Sequence, residues 1–169
     1  MQLVNRIILA IVILPLLIVV LMPKKELYYL LEKRLKKQHI VISGEKLESG
    51  LFSLDIKHPK IYYMGSQVAS ADTIRIWTLL AYSEADIKML SVAKGLPAEI
   101  LLQKIKASHS LISPQKIKIT GIGSIGKIYG NVLLNERKIE LTATKANTNI
   151  NIARYMKKSK EGWKYESRY

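Results

Sequence analysis

The hydrophobic pattern changes period along the chain, and each change marks a different kind of element. Residues 7–22, IILAIVILPLLIVVLM, carry no charge, and Leu3 and Val4 extend the apolar run past Asn5 and Arg6. Sixteen helical residues rise about 24 Å and twenty about 30 Å, close to the thickness of a bilayer's hydrocarbon core. Arg6 can snorkel to the interface, and membrane helices tolerate a kink at Pro15. A cleaved signal peptide would need a small-residue site after the apolar run, whereas here the run meets MPKKE. Residues 1–22 are therefore expected to form an uncleaved transmembrane signal-anchor.

Over 23–38, PKKELYYLLEKRLKKQ, the apolar positions fall three and four apart. Leu27, Leu30, Leu31 and Leu35 make one stripe, and Pro23 suits a first helical turn. This predicts a short amphipathic juxtamembrane helix. Tyr28 and Tyr29 would stand at the membrane interface, and Lys24, Lys25, Lys33, Arg34, Lys36 and Lys37 would meet anionic headgroups. The plainer alternative packs the leucine stripe on the rest of the protein and leaves the lysines in solvent.

From residue 39 onward the period is two. LFSLDIK puts Phe52, Leu54 and Ile56 on one face, and ADTIRIWTLL does the same with Ile74, Ile76 and Leu80. Further alternating runs carry Ile61 and Tyr63, Ile87 and Met89, and Leu101 with Ile105 and Ala107. The rest carry Ile117 and Ile119, then Ile128, Val132 and Leu134, then Ile139 and Leu141, with WKYES as a final strand after Glu161-Gly162. Runs of this kind, separated by turn signals, predict an antiparallel all-β domain over 39–169 with one apolar face.

One stretch resists that reading at first. TGIGSIGKIYG, 120–130, contains both the dinucleotide fingerprint G-x-G-x-x-G and most of a P-loop. Both motifs need a helix to open after the glycines, so that its N-terminus faces the phosphate. Period two continues instead, and Ile128 occupies the position where a P-loop needs Ser or Thr. The glycines are expected to form a bend or bulge between strands, with no nucleotide bound.

Composition narrows the chemistry further. With no cysteine there are no disulfides, thiolate metal sites or cysteine nucleophiles. His39, His58 and His109 are scattered without ligand spacing, so no metal is expected. Glu84 and Asp86 are the nearest carboxylate pair outside the helix, at a spacing common on solvated strands. No G-x-S-x-G elbow occurs. No catalytic residue, metal or cofactor is therefore expected, and the protein is not read as an enzyme. The net charge of +14 favours an anionic partner. A membrane-tethered nucleic-acid binder would cluster that charge on one face with aromatics between; the lysines are spread, so nucleic acid is disfavoured. The basic aromatic end, 154–169, is a further candidate for headgroup or partner contact.

The positive-inside rule alone would keep the body in the cytoplasm, because more basic residues lie after the anchor than before it. The order of features points the other way. An anchor, then KKELYYLLEKRLKKQHIVIS, LDIKHPKIYYMGSQVASADTIRI, KIKITGIGSIGKIYGNVLLNERKIELTAT and MKKSKEGWKYE, over about residues 20–166, resembles the type II secretion system protein N group and the wider AsmA-like inner-membrane proteins. The resemblance lies in leucines, glycines and alternation, with no catalytic signature. It implies a single-pass inner-membrane protein whose curled antiparallel β-sheet, a half-barrel or β-groove, stands in the periplasm. It also implies a structural or assembly role in secretion, or lipid handling, with membrane lipids and other envelope proteins as partners. A lipopolysaccharide-transport-type anchor shares that architecture and is the alternative. The residues expected to line the groove are Phe52, Leu54, Ile56, Ile74, Ile76, Ile117, Ile119, Ile128, Val132, Ile139 and Leu141. A closed, ordinary core made of the same residues is the competing reading.

Overall fold

The alternating runs downstream of residue 39 do become strands. The computed structural model describes residues 17, 18, 20–92, 100–144, 156–159 and 162–169. The anchor expected over 1–22 lies outside these apart from 17, 18 and 20–22. Among the described residues no helix is long and apolar enough to cross a membrane.

Among the described residues, helix α1 (Lys24–Lys36) precedes thirteen strands in a single antiparallel sheet. The strands are β1 (Ile40–Ser43), β2 (Lys46–Ser49), β3 (Ser53–Lys57), β4 (Lys60–Tyr63), β5 (Ser66–Ser70), β6 (Thr73–Leu79) and β7 (Tyr82–Val92). They continue with β8 (Ile100–Ser110), β9 (Ser113–Gly123), β10 (Gly126–Leu133), β11 (Lys138–Ala143), β12 (Lys157–Ser159) and β13 (Gly162–Arg168). From β7 to β11 each strand pairs with the next, in a meander.

The sheet forks at β7. β6 pairs with Tyr82–Lys88, while β5 pairs with Ser91 and Val92 of the same edge. Met89, at the fork, adopts φ 51°, in the left-handed region. One arm runs β6-β3-β2 and the other β5-β4-β1. The ladder stays open, with β1 and β2 at one side and β12 at the other. The sheet is neither curled nor closed, which corrects the expected half-barrel. The physical reason lies in the fork: β5 and β6 share one edge of β7, so the early strands split into two short arms instead of extending one continuous ladder that could curl.

Two apolar clusters hold the sheet. Near the helix, Tyr28, Leu54 and Ile56 are buried together, with Ile42 of β1 and Leu47, Ile74 and Ile76 packed around them. Farther along, Leu102, Ile125 and Ala143 are buried, with Ile105, Ile128 and Trp163 among their neighbours.

Candidate functional site

Strand register carries the apolar positions across the whole sheet in straight rows. The first row reads Leu47, Ile56, Ile74, Ile87, Ile105, Gly121, Ile128, Ala143, Trp163, each opposite the next. The second, two residues along each strand, reads Leu54, Ile76, Ala85, Ala107, Ile119, Gly130, Leu141, Tyr165. The third brings His109, Ile117, Val132, Ile139 and Ser167 together. Because side chains alternate across a strand, these rows share one face. Ten of the eleven residues expected in the groove therefore lie side by side. Phe52 stands just before β3, where its carbonyl accepts from the Thr78 N–H at 2.8 Å.

Burial along this face is uneven. Leu54 and Ile56 are buried, while Ile74, Ile76, Ile117, Ile119, Ile128, Val132, Ile139 and Leu141 keep intermediate exposure. Cover contributes: among the described elements α1 packs chiefly on β1 and β2, beside Leu54 and Ile56. Between the helix and the face, Met22, Lys24, Leu27, Leu31, Phe52, Leu54, Ile76, Thr78 and Ser83 line a cavity of about 350 Å³. A mostly apolar cavity of that size is what a small apolar group occupies.

Simple alternation does not describe the face everywhere. Period two places Leu101 inward, yet it is exposed and Leu102 is the buried residue. The β8–β9 register shifts between Leu102 and Lys104, and this bulge moves the inward position by one. Met89 is likewise exposed, because its left-handed backbone breaks the alternation after Ile87. Tyr63 and Leu80 are exposed as well.

On α1 the buried residue is Tyr28, only 4% exposed, while Leu27 and Leu31 are exposed at the cavity, Leu30 is exposed and Leu35 is half-buried. Tyr28, expected at the membrane interface, is thus part of the first apolar cluster. Its hydroxyl donates to Glu45 Oε1 at 3.1 Å. Burial, reinforced by the neighbouring Glu45 carboxylate, pushes the phenol well above its ordinary range. Tyr29, Lys25, Lys33, Arg34, Lys36 and Lys37 are exposed, and Lys24 is half-buried.

The opposite face is charged. Asp55 accepts both Arg75 Nε at 2.6 Å and Nη2 at 3.0 Å, and this bidentate contact holds its carboxyl below the usual range. Glu84 accepts from Lys106 at 2.6 Å and from the Tyr82 hydroxyl at 2.9 Å, so it too is held low. Lys104 lies 3.7 Å from Asp86. Glu84 and Asp86 are thus rungs of an ion-pair ladder. His109 contacts the Pro114 carbonyl, and His58 lies 3.4 Å from Asp72. Among the described residues no three His, Asp or Glu side chains gather as a metal site.

The glycine stretch is the β9–β10 hairpin. Gly123 pairs with Gly126, whose φ of 85° turns the chain, and β10 takes the place of a helix. A Cβ on Gly123 would lie 2.6 Å from both the Leu101 carbonyl oxygen and Leu102 Cδ2, so close approach of β8 requires glycine there. The Ser124 N–H donates to the Leu101 carbonyl at 2.8 Å, and Ile125 at the tip is buried in the second cluster. A strand follows the glycines, so the helix whose N-terminus would hold a pyrophosphate does not open there.

No match emerges from comparison with protein-family models, with curated proteins or with solved structures. The features that bear on function are the apolar rows, the cavity and the charge pattern.

Proposed function

We propose that the chain is a non-enzymatic, single-span cell-envelope protein whose apolar sheet face is a lipid-handling surface. In this reading residues 1–22 anchor it in the inner membrane and the β domain stands in the periplasm, as the resemblance to secretion protein N and AsmA-like proteins implies. The face is an open plane, not a curled groove.

One observation carries the reading: apolar residues run in register across the sheet, and beyond β7 the isoleucines, Val132 and Leu141 of these rows stay half-exposed, although Ala143 is buried. A sheet normally hides such a face against a second layer. A contiguous apolar surface left in contact with water is costly, at roughly 25 cal/mol per Å², and marks a surface that meets something apolar. The cavity beside α1 joins this face at Phe52, Leu54 and Ile76 and lies just beyond the apolar N-terminal run, where lipid tails would be nearest. The exposed cations of α1 suit anionic headgroups at the same end.

The test is native mass spectrometry of the full-length protein, gently released from membranes in non-ionic detergent. Co-purified phospholipid is expected, and its loss is expected in an Ile119→Asp, Leu141→Asp variant that remains folded. A folded, lipid-free wild-type protein after release from native membranes would refute the reading.

A further inference from the structure

The glycine hairpin holds no nucleotide loop, but the strands flanking it present a different arrangement for phosphate on the opposite face. The outward row beside the hairpin reads Lys104, Ile122, Lys127, and the next reads Lys106, Thr120, Tyr129, each residue opposite its neighbour on β8, β9 and β10. These six residues, together with Gly121 and Ile128 between them, line a surface depression of about 430 Å³. Neighbouring strands lie about 4.8 Å apart, so the lysines of β8 and β10 face each other across about 10 Å.

We propose that this depression is a binding site for a phosphate ester. The wall supplies three ammonium groups and two hydroxyl donors, and no carboxylate lines it. Asp86 and Glu84 stand on β7, beyond Lys104 and Lys106, and engage those lysines from outside. Lys127 has no carboxylate within 4 Å of its ammonium group among the described residues. Its backbone is fixed: the Lys127 N–H donates to Thr144 Oγ1 at 3.0 Å, and the Thr144 N–H donates to the Lys127 carbonyl at 2.9 Å. Lysine serves phosphate as a point charge, and charged hydrogen bonds are the strong ones. Between the lysines, Ile122 is 51% exposed and Tyr129 is exposed too, giving an apolar contact for the carbon side of an ester. A phosphate held here meets lysine side chains and hydroxyls presented by strands, not the N-terminus of a helix as in a nucleotide loop. The site does not depend on the apolar face or on how that face is used.

The phosphate can come from a phospholipid headgroup or from a soluble phosphorylated sugar or polyol, and the test separates these. Full-length protein in non-ionic detergent is titrated with glycerol 1-phosphate by calorimetry. In parallel, phosphatidic acid retention is compared with phosphatidylcholine retention by native mass spectrometry. Lys127→Ala is expected to weaken the bound phosphate ester about tenfold, and Tyr129→Phe by less. Lys118→Ala, one row away on the same face, is the control and is expected to leave binding within about twofold. Circular dichroism checks that each variant keeps the wild-type fold. Saturable glycerol 1-phosphate binding lost in Lys127→Ala supports a soluble ester, and selective phosphatidic acid retention lost in that variant supports a headgroup. Equal weakening by Lys118→Ala and Lys127→Ala would mean a diffuse basic field and would overturn the site. Absence of saturable binding in both arms would overturn it as well.

Discussion

At the residue scale, position on the sheet decides what each side chain contributes. Ile56 is 4% exposed at the centre of the first cluster, whereas Ile112 sits in the β8–β9 turn at 91%. Ile56→Ala should cost about 2–5 kcal/mol and Ile112→Ala less than about 0.5 kcal/mol in urea unfolding. Gly123 makes the opposite point, since there an added atom is the problem. Gly123→Ala drives a methyl into the β8 backbone and should cost about 1–3 kcal/mol. Ser124→Ala, exposed at the same hairpin, should be near neutral. The inward isoleucines are readable from spacing because each sits in an uninterrupted alternating run. Leu101 and Leu102 cannot be told apart that way, because a bulge at the β8–β9 ladder depends on the partner strand. The decoy glycines are readable only through their downstream neighbours: Lys127, Ile128 and Tyr129 continue a strand, so the phosphate motifs lack their helix.

At the element scale, the long strands are legible in the sequence, as are the short β3 and β4, while several other short ones are not. β6 to β11 coincide with the alternating runs. β1, β2, β5 and β12 have three to five residues each. Lys46–Ser49 carries a single apolar side chain, too little for any period. These strands form because neighbours offer them hydrogen-bonding edges. The helix is legible in extent but not in orientation. Its leucine stripe suggests an inner face, yet Tyr28 is the residue that reaches both an apolar pocket and Glu45. Tyr28→Ala should therefore destabilise by about 3–5 kcal/mol in urea unfolding, far more than Leu30→Ala on the exposed side. The outer ladder makes a prediction about pH. Asp55 and Glu84 have folded-state carboxyls held below their ordinary values by Arg75 and Lys106. A lowered carboxyl contributes stability above the unfolded carboxylate range, about pH 4, and that contribution disappears as pH falls through the folded value. Asp55→Asn should flatten the loss of stability below about pH 4, as read from thermal midpoints. The double-mutant cycle between Asp55 and Arg75 should give a coupling of about 0.2–1 kcal/mol, since the guanidinium is mostly solvated.

At the scale of the whole molecule, the sheet separates two chemistries by alternation alone. One face collects isoleucine and leucine in rows; the other collects paired lysines, arginine and carboxylates. An antiparallel sheet can present one face to water, but it is the polar face that suits this. Here, among the described residues, it is the apolar face that no helix covers beyond β7. The fork at Met89 explains how the molecule manages one end of it, by bringing β1 against the α1 cluster and leaving the meander from β8 onward as a plane. Neither the fork nor the openness of the sheet is visible in the sequence, because both arise from which edge of β7 the early strands share. If this plane holds lipid tails, photocrosslinking reveals it most directly. A benzoylphenylalanine placed at Ile119, on the plane, is compared with one at Lys118, its neighbour on the charged face, in full-length protein illuminated in native membranes. Phospholipid adducts at 119 and none at 118 are predicted. Adducts at neither position, or equally at both, would contradict a lipid-handling plane.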